Sequence, residues 1–372
     1  GAQKHSFIVG ANSLGFAVRL CVVSEAMQPI SIYVETLRGG LIESVSRVRA
    51  IVLGPEAQLP VVLESGDAQA PVFWRSAAKF IQALSLYASG AVEQFGFTDE
   101  EVALACASHS GGDEHVAGVA RMMQKVGLTA DDLHCGPHTP LGTAEAKALA
   151  ERGEAPSRLH NNCSGKHTGM LAVCRARGWP LADYNRLHHP LQQEILRHLS
   201  QVADVPVDQI GTAVDGCGAV VFRTPLAGLA RAYHRLLHGA LPAPHREAGQ
   251  RILAALRRAP QMIAGQGRLC SNLIEISDGK LVGKVGAEGI YALGGTGLGA
   301  LAVKIEDGHS RHVDAVVCQL AAQLGWLNRS QLQALKPHWH QPIFNHQREL
   351  VGEMTSPSWQ SLDHFVREDH EI

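Results

Sequence analysis

No two of the eight cysteines stand closer than eleven residues, so the chain has no CxxC pair. That excludes the ligand spacing of a zinc ribbon and the redox motif of a thioredoxin. Eight thiols spread over 372 residues also do not read as a disulfide scaffold, and a cytoplasmic setting is the expectation. An excess of charge of one sign is missing too: 33 Lys and Arg stand against 35 Asp and Glu, for a formal net charge of −2. With no basic surplus there is no electrostatic case for nucleic acid or an acidic membrane as partner. No apolar run approaches the ~18 residues of a membrane span, and 45% hydrophobic residues exclude a disordered chain. The 20 histidines are scattered, and pairs such as His188 and His189 or His338 and His340 lack the acids or thiols that would make a metal site.

What is present falls into three stretches. Residues 1–26 form an N-terminal extension in which Asn12 and Arg19 interrupt the apolar stretch from Phe7 to Val23, unlike the clean core of a secretory signal. From residue 27 the period is two, with Ile30, Ile32 and Val34, then Gly39 and Gly40 as a turn, then Val48, Ala50 and Val52, and a third strand candidate from Pro60 to Leu63. At Ser76 the period becomes 3.6, with Ala77, Ile81, Leu84 and Ala88 on one face. Thr98 with Glu101 is a capping box, Asp113 and Glu114 open another helix, and Pro190 suits a first helical turn. Near residue 280 the two-residue period returns in three runs, 280–285, 290–293 and 301–305, before a helix that Gly325 ends. The expectation is an α+β catalytic domain over 27–327, with an antiparallel sheet built from 27–75 and 280–327 and a helical lobe, 76–279, inserted between them. Residues 328–372 read as a peripheral tail.

The chemistry begins at Ser76-Ala77-Ala78-Lys79, where residues three apart share a helix face and bring amine to hydroxyl. A lysine can deprotonate a serine if burial, Arg75 and the helix N-terminus lower its pKa. A capping serine followed by a surface lysine has the same spacing. Ser108-His109-Ser110-Gly111 lies 32 residues on, and Lys284-Val285-Gly286 sits on a C-terminal strand. The order SxxK, SxS, KxG parallels the SxxK, SxN, KTG order of penicillin-recognising serine enzymes. Ser108 and Lys284 form a second hydroxyl–amine pair in that reading, or a glycine-bounded turn and a strand-end lysine in the plainer one.

Between these elements, residues 159–167 pack Asn161, Asn162, Cys163, Ser164, Lys166 and His167 around Gly165. Small residues there allow close backbone approach, and the amides suit a polar substrate or a developing oxyanion. Further on, Asp215 and Cys217 are bracketed by Gly216 and Gly218, which suggests a second loop at the same site. Taken singly, each cysteine is more often core than ligand.

The segments RSAAKFIQAL, ALACASHSG, RLHNNCSGKHTGML, VDGCGAVVF and GKVGAEGIYALG, in this order, resemble the bacterial L-asparaginase II family of the Rhizobium type, over about residues 36–325. The resemblance implies a serine β-lactamase and glutaminase-like (penicillin-recognising) fold, a homodimer, and hydrolysis of L-asparagine to aspartate and ammonia. It also implies that Ser76 with Lys79 and Ser108 with Lys284 are paired tandems, Ser76 being the nucleophile. Cys163, Lys166 and Cys217 would be the zinc position, with the metal accessory rather than hydrolytic. Arg75, Asn162, His167 and Asp215 would contact the substrate or its pocket. Two other readings compete: a β-lactamase or peptidase using the same dyads, and a non-catalytic metal-binding protein. Lys284-Val285-Gly286 lacks the threonine of the former, and the latter has no need of three Ser/Lys elements.

Overall fold

A computed structural model describes residues 31–356. The extension 1–26, residues 27–30 with the Ile30 of the first strand reading, and residues 357–372 lie outside the described residues. In chain order the strands are β1 (Ile32–Arg38), β2 (Leu41–Leu53), β3 (Val61–Ser65), β4 (Pro71–Phe73), β5 (Gly211–Val214), β6 (Val220–Pro225), β7 (Leu281–Gly286), β8 (Ile290–Gly295), β9 (Gly299–Ile305), β10 (Pro342–Phe344) and β11 (Leu350–Thr355).

Gly39 and Gly40 turn β1 into β2 with φ of 56° and 80°, the left-handed pair that a tight hairpin needs to match strand twist. β7, β8 and β9 form an antiparallel meander, and β9 pairs with β2, placing Ala50 opposite Val303. Strands from both ends of the chain thus meet in one antiparallel sheet of order β10-β11-β1-β2-β9-β8-β7, with β3 beside β2. Successive residues of β8 and β9 are buried, so both of their faces are covered. The helices Leu226–Leu237 and Val313–Gln323 pack against these strands. The architecture is α+β, a mixture of helices with antiparallel sheet.

The structure differs from the sequence reading at two places. β4, β6 and β5 form a separate three-stranded sheet, so the segment 76–279 is not purely helical; strands this short carry too few alternations to stand out. The tail is not wholly peripheral: β11 pairs with β1, Glu35 opposite Thr355, and Leu332, Leu335 and Trp339 join the core. The helical period read from Ser76 is realised as a 3-10 turn, Arg75–Ala78, followed by the short helices Lys79–Gln82 and Leu84–Ala88. Most of these residues are buried, so packing on every side, rather than one amphipathic face, sets their shape.

Two features of the helical lobe aim side chains at the site. The Thr98 capping box forms as expected: Glu101 Oε2 accepts from the Thr98 amide at 2.8 Å, and the Glu101 amide donates to Thr98 Oγ1 at 3.4 Å. This starts the helix Asp99–Ala105, which delivers Ala107 and Ser108 at its end. The helix Ser164–Arg177 is buried from Ser164 to Cys174 and crosses it at Gly165, where an added Cβ would collide with the Leu104 carbonyl. That close crossing sets Cys163 and Lys166 beside Lys79.

Candidate active site

The Arg75–Ala78 turn is clamped from two sides. The Trp74 amide donates to the Phe222 carbonyl, its indole Nε1 donates to Thr224 Oγ1 at 2.7 Å, and the Tyr233 hydroxyl donates to the Ala77 carbonyl at 2.9 Å. Arg75 sits at φ 48°, a left-handed conformation that a non-glycine residue holds only when its surroundings enforce it. One such contact is the salt bridge from Arg75 Nη2 to Asp215 Oδ1 at 2.7 Å, with Nε on the same oxygen at 2.9 Å.

Lys79, the first residue after this turn, is fully buried, and its amine donates to the Ala107 carbonyl and to Ser108 Oγ at 2.9 Å. Cys163 Sγ lies 3.3 Å from the same nitrogen. Among the described residues the Lys79 amide donates to the Ser76 carbonyl, but no side-chain hydrogen bond joins the two; the Lys79 amine is turned toward Ser108 instead. Lys284, buried on β7, reaches Ser108 Oγ at 2.7 Å, so the expected Ser108–Lys284 pair is in contact. Burial pushes Lys284 down to about 7, with the charges of Lys79 and Arg268 adding to it and the Cys270 thiol opposing. Burial also lowers Lys79, against the pull of Cys163.

Arg268 went unnoticed in the sequence. Its Nη1 donates to the Ser108 carbonyl at 2.5 Å and to the Ala264 carbonyl at 3.2 Å, while Ser110 Oγ donates to that same Ala264 carbonyl at 2.6 Å. Gly265 and Gly267, both at positive φ, are the signal that a special turn precedes Arg268.

The second cluster adjoins Lys79. Lys166 Nζ lies 3.1 Å from Cys217 Sγ, and the Cys163 thiol, keeping its proton, is hydrogen-bonded to Cys217. That hydrogen bond, assisted by the Lys166 charge against the effect of burial, brings Cys217 down to about 4. Cys163, the donor, is pushed up to about 12 by the same bond and by burial. Burial alone would lower Lys166, but Cys217, Cys163 and Asp215 together hold it above its ordinary value. Burial works against the Asp215 carboxylate, yet Lys166 and Arg75 keep it below the usual range.

The loop amides divide. Asn161 is a framework residue: its Nδ2 donates to the Cys135 carbonyl at 2.8 Å and its Oδ1 accepts from the Cys163 amide at 2.9 Å. Asn162 is half-buried, and its carbonyl accepts the His109 amide. His167 is fully buried, and burial followed by the Lys166 charge holds it neutral, well below its ordinary pKa.

The residues fit zinc in part of its usual donor set. Among the described residues no three His, Cys, Asp or Glu side chains converge, so Cys163 and Cys217 would need Lys166 as third donor. The thiolate of Cys217 is a ready ligand, whereas Cys163 and Lys166 would each have to release a proton.

The family model described as L-asparaginase II matches residues 34–356. The chain belongs to this family. A search of curated proteins finds no match. The L-asparaginase II match spans all the elements that carry the two clusters, from the Arg75–Ala78 turn to β7. It makes the chain an amidohydrolase by family and a small molecule its substrate.

Proposed function

We propose that the chain is an L-asparagine amidohydrolase working by Ser–Lys nucleophilic catalysis. The observation that carries this reading is Ser108 Oγ held between two buried amines, 2.9 Å from Lys79 and 2.7 Å from Lys284, one of them brought down to about 7. A neutral amine near the working pH is what a general base needs.

Ser76, half-buried between Arg75 and the Lys79 helix, is the proposed nucleophile. Its oxygen adds to the side-chain amide carbon while its proton passes to the Lys79–Ser108–Lys284 relay. The protonated relay returns that proton to the leaving nitrogen, ammonia departs, and an aspartyl ester remains. Water, deprotonated by the same relay, then cleaves the ester to aspartate and restores the serine. Arg75 and Asp215, one cation and one anion at the site's edge, suit the carboxylate and ammonium of an amino acid substrate. Asn162 and His167 supply further polar contacts. Zinc, when bound by Cys163, Lys166 and Cys217, would supply a fixed positive charge beside the pocket. A second reading makes Ser108 the nucleophile, favoured by its direct hydrogen bonds to both amines.

A penicillin-recognising fold belongs to the same proposal. It is supported by the order of the three Ser/Lys elements and by the helical lobe lying between strands of one antiparallel sheet. So do a homodimer and a cytoplasmic location, the latter supported by the unpaired thiols of the seven described cysteines. Ammonia release measured across asparagine, glutamine and small amides, beside a chromogenic cephalosporin, tests the function. Turnover of asparagine without cephalosporin cleavage supports it; the reverse overturns it in favour of a β-lactamase.

A further inference from the structure

We infer that Tyr184 is a positioning residue that fixes His167 in the tautomer with its proton on Nε2, so that His167 offers the pocket a hydrogen-bond donor and has no lone pair free to act as a base.

The assignment follows from counting donors. Tyr184 is completely buried, and its hydroxyl has two neighbours: the backbone nitrogen of His134 at 2.9 Å and Nδ1 of His167 at 2.6 Å. A backbone amide can only donate, so toward His134 the phenolic oxygen is the acceptor. Its own hydrogen then needs an acceptor, because a buried hydroxyl hydrogen left unpaired is costly. Among the described residues that acceptor is His167 Nδ1. A nitrogen that accepts carries the lone pair, so the neutral ring holds its proton on Nε2. The opposite tautomer would aim two donors at one phenolic oxygen. It would also strand both the tyrosine hydrogen and the Nε2 lone pair in a dry interior.

His167 Nε2 is buried and has no partner among the described residues. An unpaired donor in such a place is satisfied by an acceptor that arrives with a ligand, and an amide or carboxylate oxygen fits it. His167 follows Lys166 directly in sequence, its amide donates to the Cys163 carbonyl at 3.0 Å, and the Lys166 amine lies 3.1 Å from Cys217 Sγ, which puts the residue beside the thiol cluster. The His167 and Tyr184 rings meet edge to face, with centroids 5.5 Å apart at 82°. Tyr184 also touches the His134 ring, at 5.0 Å, so its orientation is set from both sides. The inference rests on the asparaginase reading only for the identity of the oxygen that Nε2 meets.

The test is nuclear magnetic resonance of the full chain labelled with 15N-histidine, reading two-bond couplings in the His167 ring, which is identified by the signals lost in His167→Gln. The expected result is Nε2–H in the wild type and a shift toward Nδ1–H in Tyr184→Phe, which keeps the ring and loses the hydroxyl. In turnover, Tyr184→Phe should raise KM for asparagine about tenfold with a smaller change in kcat. Nδ1–H in the wild type, or one unchanged tautomer in both proteins, overturns the inference. Should Tyr184→Phe fail to fold, the wild-type spectrum decides alone. Nε2–H in a folded chain that does not hydrolyse asparagine would overturn the asparaginase reading and leave this assignment standing.

Discussion

Lys79 and Lys284 converge on a single oxygen, with their amines 2.9 and 2.7 Å from Ser108 Oγ and both side chains buried. Two ammonium groups cannot share such a place cheaply, so the pair titrates as a unit. Lys79 has the Ala107 carbonyl and the Cys163 thiol around its amine, and Lys284 has the Val285 carbonyl at 2.9 Å. With Lys284 neutral, one proton order satisfies every group: Lys79 donates to Ser108 Oγ, and Ser108 donates to Lys284. The serine hydrogen is then already aimed at a base.

The first prediction concerns pH. Lys284, held at about 7 chiefly by burial, works as a base only when it has lost its proton. The kcat/KM for asparagine should therefore rise through pH 7 and level off above it, by about tenfold per pH unit on the acid side. Lys284→Arg should be inactive throughout, since a guanidinium keeps its proton across that range. A profile that stays flat from pH 6 to about 8 would place the base elsewhere.

A stability consequence has the same origin. The folded pKa of Lys284 is lowered to about 7, against ~10.4 for a lysine in the unfolded chain. Between these values the unfolded state binds a proton that the folded state does not, so stability rises with pH there. Below the folded pKa both states are protonated, and the whole penalty of burying the charge remains. Lys284→Met should thus melt higher than the wild type at pH 6, with the margin shrinking toward pH 10. A margin that does not change with pH would refute this.

Much of this arrangement could be read from the sequence, for identifiable reasons. The antiparallel sheet shared by the two chain ends followed from runs of alternating residues long enough to show their period, as in β2 and β9. The Thr98 cap was legible because its signature is local, three residues wide. What connects distant segments was not. Nothing near Ser76 signals that the Lys79 amine turns toward Ser108, because that depends on where the Asp99–Ala105 helix ends. Arg268 acts through a backbone carbonyl 160 residues away and Tyr184 through a ring nitrogen 17 residues away, and single residues of common type leave no pattern. The motif at 159–167 holds Cys163, which the structure brings to the Lys79 amine, yet it could not tell Asn161, which ties the framework together, from Asn162 beside it.

The thiol pair should govern metal content. Cys217, already a thiolate at neutral pH with Lys166 Nζ 3.1 Å away, and Cys163 are the two sulfur donors. Cys163→Ser and Cys217→Ser should each lose stoichiometric zinc by elemental analysis and raise KM for asparagine more than they lower kcat. Equal zinc in the wild type and both variants, or none in protein purified without chelator, would sink the assignment.

The two serines can be separated by what each leaves behind. Ser76→Ala removes a hydroxyl with no hydrogen bond to another described residue, so folding should be untouched; even a capping role would contribute only ~1 kcal/mol. If Ser76 is the nucleophile, turnover should vanish while asparagine still binds. Ser108→Ala breaks the proton path between the two amines without taking away the attacking oxygen, so it should slow the reaction at every pH and leave a residual rate. Rapid acid quenching of the working enzyme, followed by peptide mass spectrometry, reads the covalent intermediate directly. An aspartyl adduct should sit on the peptide containing Ser76. An adduct on Ser108, with activity persisting in Ser76→Ala, would transfer the nucleophile to the serine that the two lysines share.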